Sequence, residues 1–90
     1  MLDKILEWFP DEEIIKADGF DNAIIGIDDI SMRLIYSVNK CIIILVSEDD
    51  MTEEDALDHF HYNVKGSYVG DKTPIWCTDD FFLKSFYKIK

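Results

Sequence analysis

Apolar residues at Leu2, Ile5, Leu6 and Phe9 recur at i, i+3, i+4 and i+7, the spacing of one helix face. The pattern predicts a helix over residues 2–9. Pro10 stops it, because its ring and missing N–H cannot continue the hydrogen-bond ladder. In "EIIKADGF", Ile14 and Ile15 fit either a second helical turn or a short strand, and Asp18-Gly19 turns the chain. "NAIIGI" and "MRLIYSV" are aliphatic and β-branched. They read as two strands joined by "DDIS" as a four-residue hairpin loop.

"NKCIIILVSEDD" carries two patterns at once. By propensity "CIIILV" is a strand, a third antiparallel one after a turn at "NK". By periodicity Asn39 is an N-cap, and Val38, Ile42, Leu45 and Val46 share one helical face. The next element is clearer. Thr52, with Asp55 three residues on, resembles a capping box, in which Glu or Gln is the usual partner. Leu57, Phe60, His61, Val64 and Tyr68 follow as a helical stripe, with Gly70 as its stop and Pro74 just beyond. Gly66 falls opposite that stripe, and the alternative is a helix that ends there. "IWCT" reads as a strand, and Thr78-Asp79-Asp80 as the cap of a last helix carrying Phe82, Leu83 and Phe86. The sum is one α+β domain over residues 1–90: a small antiparallel sheet with helices packed on one face.

About half of the residues are apolar, which suffices for a core and exceeds what a disordered chain carries. A chain of 90 residues buries a modest fraction of its surface, so marginal stability or help from oligomerisation is expected. Cys41 and Cys77 lie in apolar runs without metal-type spacing and read as buried, reduced thiols. The start "MLDKILEWFPDEE" lacks the features of a secretory signal, and no apolar run reaches the length of a membrane span. A cytoplasmic protein is the expectation. The net charge of −10 changes the picture most. It repels nucleic acid and anionic lipid and favours a partner with a basic surface. The simpler reading is that acidity keeps a small protein soluble.

Asp18-Gly19-Phe20 before Ala23-Ile24-Ile25-Gly26 and the Lys40-Cys41 pair after a strand form one part of a longer signature. The other is Met51-Thr52-Glu53-Glu54-Asp55-Ala56 leading to Phe60, Asn63-Val64, Gly66, Tyr68-Val69-Gly70 and Thr73-Pro74. Over residues 18–76 the chain resembles a family of small, uncharacterised proteins often encoded by bacteriophages. The resemblance implies a fold and a viral setting, hence the cytoplasm of a host cell. It implies no activity, and the histidines lie outside it. In such proteins the segment after Lys-Cys looks like an amphipathic helix with an acidic residue among its aliphatics. Here "CIIILV" carries no charge until Glu48.

Candidate chemistry concentrates in "SEDDMTEEDALDHFHYNV", Ser47 to Val64, which holds seven acidic residues, both histidines and no Lys or Arg. His59 and His61 stand roughly 200° apart on a helix and cannot chelate one ion together. On the stripe assignment His61 packs against the core and His59 points to solvent. Glu54, Asp58 and His61 at i, i+4, i+7 share one helix edge and form an alternative divalent-metal set, for a metal-binding protein or small hydrolase. The acid-rich run lacks calcium-loop spacing. "GSYVGDK" lacks phosphate-loop spacing, and neither cysteine sits in a nucleophile signature. The remaining candidate is an acidic recognition face: Asp49, Asp50, Glu53, Glu54, Asp55 and Asp58, with Glu48 beside them. Acids at the positive end of a helix explain Glu53, Glu54 and Asp55 but neither Asp58 nor the whole run from Glu48 to Asp50.

The expectation is therefore a non-enzymatic accessory protein, needing no cofactor, that binds a host or phage protein with a basic surface. Inhibition of a host nucleic-acid-binding or defence factor is the sharpest form, with no direct contact to nucleic acid or membrane. A third reading is a structural or assembly homo-oligomer joined through Trp8, Phe81 and Phe82.

Overall fold

The first helix ends where the sequence says it must. Helix α1 spans Leu2–Trp8, and the Phe9 N–H closes on the Ile5 carbonyl at 3.0 Å before Pro10. Ile5 is buried, Leu2 and Phe9 pack beside it, and Leu6 and Trp8 face solvent. The computed structural model describes residues 1–67 and 70–79. Tyr68, Phe81 and the expected last helix with Phe82, Leu83 and Phe86 lie outside them.

Residues 13–17 form neither of the expected elements; they run without regular secondary structure to a turn at Asp18-Gly19. Gly19 holds φ +88, a conformation glycine adopts without penalty. Strand β1, Ile24–Asp28, pairs antiparallel with β2, Arg33–Ser37. A bulge between Ile24 and Gly26 sets one extra residue against β2. Alternation alone would put Ile24 and Ile27 on opposite faces. The bulge turns both toward the core, opposite Tyr36 and Leu34 respectively. The hairpin loop is Asp29–Met32, one residue later than the sequence suggests. Asp28 remains in the strand, and its carboxylate accepts from the Ile30 N–H at 3.0 Å and the Ser31 hydroxyl at 2.9 Å. Those bonds hold the Asp28 carboxyl below its ordinary range.

The ambiguous segment is a helix, α2, over Val38–Glu48. Its cap is Ser37, not Asn39: the Ser37 hydroxyl accepts from the Lys40 N–H at 3.1 Å. Cys41 and Leu45 form the buried edge, Val38 and Ile42 pack beside it, and Val46 is exposed. Helix α3, Glu53–His59, begins at the expected cap, with Thr52 Oγ1 accepting from the Asp55 N–H at 3.1 Å. It continues as a π-helical turn over Phe60–Lys65 and stops at Gly66.

Strand β3, Ile75–Cys77, lies against β2 in the order β1-β2-β3. It is parallel, with Ile35 opposite Ile75, Tyr36 opposite Trp76 and Ser37 opposite Cys77. This corrects the expected antiparallel sheet to a mixed one. Parallel neighbours need a long crossover connection, and here α2, α3 and the π-helical turn supply it between β2 and β3. The α+β class stands. All three helices feed one core with the sheet: Ile5, Cys41, Leu45, Ala56 and Phe60 meet Ile24, Leu34 and Tyr36. The Tyr36 hydroxyl, inside that core, accepts from the Ala17 N–H at 2.7 Å and ties the irregular segment to the sheet.

Candidate functional site

The acidic segment divides between two helix ends. Glu48 is the last residue of α2, Asp49 its cap, and Asp50 takes the left-handed conformation, φ +55, that ends the helix. Aspartate tolerates that conformation better than most residues, which gives Asp50 a backbone reason to be there. The N–H groups of Asp49 and Met51 both return to the Leu45 carbonyl, at 3.2 and 3.3 Å. Glu48 and Asp49 therefore sit at the negative end of a helix dipole, where a carboxylate is disfavoured by about 0.3–1 kcal/mol. Glu53, Glu54 and Asp55 occupy the first turn of α3, where acids are favoured. All of these residues and Asp58 are exposed. The described ion pair lies elsewhere, between Lys16 and Asp21 at 3.3 Å.

The buried face of α3 differs from the expected stripe. Ala56 and Phe60 are buried and Val64 is partly so, whereas Leu57 is 49% exposed. The small Ala56 side chain packs in the core beside α2, so the helix rotates by about one residue relative to its largest apolar side chains. His61, expected to be packed, is exposed, with its ring edge-on to Tyr62 at 5.0 Å. His59, expected in solvent, is half-buried, and its Nδ1 lies 3.3 Å from the Asn63 amide nitrogen. By helical spacing Leu57 stands among Glu53, Glu54, Asp58 and His61 on the outer face. The structure thus joins a half-exposed leucine to the carboxylates, a combination the sequence reading missed because it assigned Leu57 to the core.

Glu54, Asp58 and His61 are all exposed, and among the described residues no three His, Cys, Asp or Glu side chains form a group that would hold a metal ion. Cys41 is fully buried and Cys77 half-buried, and both are free thiols. Burial first, then the nearby Asp79 carboxylate, pushes the Cys41 thiol up to about 12, far from nucleophilic. In "GSYVGDK", Gly66 ends the π-helical turn and Lys72 donates to the Ser31 carbonyl at 2.9 Å; Tyr68 and Val69 are outside the described residues. Trp8 is 78% exposed, as an assembly surface would need. Among the described residues no helix is long and apolar enough to cross a membrane.

A second feature has no local sequence signal. Trp76 on β3 lies 5.1 Å from Tyr36 and 5.4 Å, edge-on, from Phe60. It lines a cleft of about 220 Å³ between the irregular segment at Ile15–Phe20 and the π-helical turn. Its indole Nε1 is buried without a hydrogen-bond partner. These walls come from stretches far apart in the chain, so no short motif could reveal them. No protein-family model, curated protein or solved structure matches the chain.

Proposed function

We propose that the protein is a small phage-type accessory protein that acts by binding another protein, one with a basic surface. The face used is the acidic segment at the end of α2 and on the outer side of α3. The observation that carries this reading is the placement of Glu48 and Asp49 at the negative end of α2. Helix electrostatics explains Glu53, Glu54 and Asp55; it opposes Glu48 and Asp49 and is indifferent to Asp58. Leu57 adds an exposed apolar centre within a charged rim, the usual composition of a protein interface. Carboxylates on such a rim speed association and select a basic partner more than they add affinity. Inhibition of a host nucleic-acid-binding or defence factor fits a face that imitates spaced phosphates.

Retention of proteins from a bacterial lysate tests this at low salt and at about 1 M salt, where the screening length falls to roughly 3 Å. A specific partner is held at low salt and released at high salt. It is lost both by the Glu53→Gln/Glu54→Gln/Asp58→Asn variant and by Leu57→Ala. Equal retention by wild type and both variants refutes the acidic-face reading.

A further inference from the structure

Helix α2 has no polar face. Cys41 to Val46 is an unbroken apolar run longer than the roughly 3.6 residues of one turn, so apolar side chains leave the helix in every direction. A helix that is apolar all round is ordinarily buried all round. Here the Cys41–Leu45 edge is buried, whereas Ile43 is 54% exposed and Val46 38%. Ile43 stands roughly 200° around the helix from Cys41, and Val46, three residues on, is its neighbour on that outer side.

The route of the chain supplies a cover for this stripe. Strand β3 ends at Cys77, opposite Ser37, and Asp79 accepts a hydrogen bond from the Ser37 hydroxyl. Ser37 is also the cap of α2, so the chain beyond Asp79 sets out from the start of that helix. Residues 80–90 equal α2 in number, and as a helix at about 1.5 Å per residue they reach its full length. Phe82, Phe86 and Ile89 recur at i, i+4 and i+7, the spacing of one helix face. Three of the chain's nine cations, Lys84, Lys88 and Lys90, fall in this stretch against one of its nineteen acids, Asp80. The stretch is basic and the rest of the chain acidic, with Glu48 and Asp49 at the far end of α2.

We propose that residues 80–90 pack along the outer side of α2, in the same direction, with Phe82 and Phe86 against Ile43 and Val46. Burial of the apolar stripe supplies the attachment. Lys88 and Lys90 come level with Glu48 and Asp49 and set the direction and register. Ion pairs at such an exposed place contribute little, so a basic partner displaces them readily. A second copy of the chain is a poorer occupant, because it brings a net charge of −10 to a helix that ends in carboxylates. The inference does not rest on the partner-binding reading: it concerns the apolar side of α2 and leaves Leu57 and the carboxylates of α3 open.

NMR on the full chain tests this. Methyl-labelled wild-type protein should show nuclear Overhauser contacts from the Ile43 and Val46 methyls to the Phe82 and Phe86 rings. A sample mixed from labelled and unlabelled chains separates contacts within one chain from contacts between two. Urea unfolding gives a second readout. Ile43→Ala and Phe86→Ala should be coupled about fivefold or more in the unfolding equilibrium constant, whereas Leu57→Ala and Phe86→Ala should be independent within about twofold. Ile43 and Leu57 are both exposed, so each single variant keeps the buried core. Absence of the methyl–ring contacts, contacts only between chains, or coupling of Ile43 to Phe86 no larger than that of Leu57 overturns the proposal.

Discussion

Ser37→Ala tests the joint on which the mixed sheet turns. Ser37 is fully buried at the end of β2, and its hydroxyl works in both directions. It accepts from the Lys40 N–H at 3.1 Å and donates to Asp79 Oδ1 at 2.5 Å, just past the end of β3. Losing the cap costs about 1 kcal/mol. A hydrogen bond to a charged group contributes about 1.5–3 kcal/mol, and the lower end applies because Asp79 is only half-buried. The expected destabilisation is therefore about 2–3 kcal/mol, a Tm decrease of roughly 10–20 °C for a domain of this size. Urea unfolding followed by far-ultraviolet circular dichroism measures it. Ser47→Ala is the control: Ser47 is exposed on the same helix and donates only to the Ile43 carbonyl, so its change should stay within about 0.5 kcal/mol. A cycle of Ser37→Ala with Asp79→Ala should show coupling of about 1 kcal/mol or more between the two sites. A Ser37→Ala midpoint equal to that of Ser47→Ala would refute the claim that this hydroxyl joins α2 to the parallel strand.

Two further predictions follow from burial. Ala56→Leu should destabilise by about 1–3 kcal/mol through overpacking, while Leu57→Ala at its exposed position should change stability by under about 1 kcal/mol; the opposite order in urea midpoints would restore the helix face read from the sequence. The Cys41 thiol ionises near 12 in the folded protein against an ordinary value of 9.0, so the folded state keeps its proton where the unfolded chain releases it. This stability is intact below pH 9 and declines as pH rises from about 9 toward 12. Comparing urea midpoints of wild type and Cys41→Ala across that window isolates it, and parallel curves would sink the assignment.

Much of the fold was legible where local chemistry decides. Pro10 ends α1 and Thr52 starts α3, each by a backbone effect that acts within a few residues, whereas the helix stops at Gly66, the alternative reading, and not at Gly70. The hairpin strands were legible because β-branched residues pack on a pleated surface. The segment "CIIILV" was not, since its propensity favours a strand and its periodicity a helix. The cap decided it, and that cap is the last residue of the preceding strand. The carboxylates of the candidate site were visible as a composition, but not their orientation. Leu57 looked like core because it is large and apolar; Ala56 took its place because close helix packing rewards a small side chain.

The sequence alone therefore determined the stop of α1, the start of α3, the presence of the hairpin, the α+β class and the acidic character of one stretch, because caps, prolines, turns and charge act locally. Tertiary structure decided the direction of β3, the face that α3 buries and the cleft over Trp76. Each depends on which distant surfaces meet: Ser37 with Asp79, Tyr36 with the Ala17 backbone, Trp76 with Phe60. Such contacts are selected by packing across the whole core, and no window of neighbouring residues contains them.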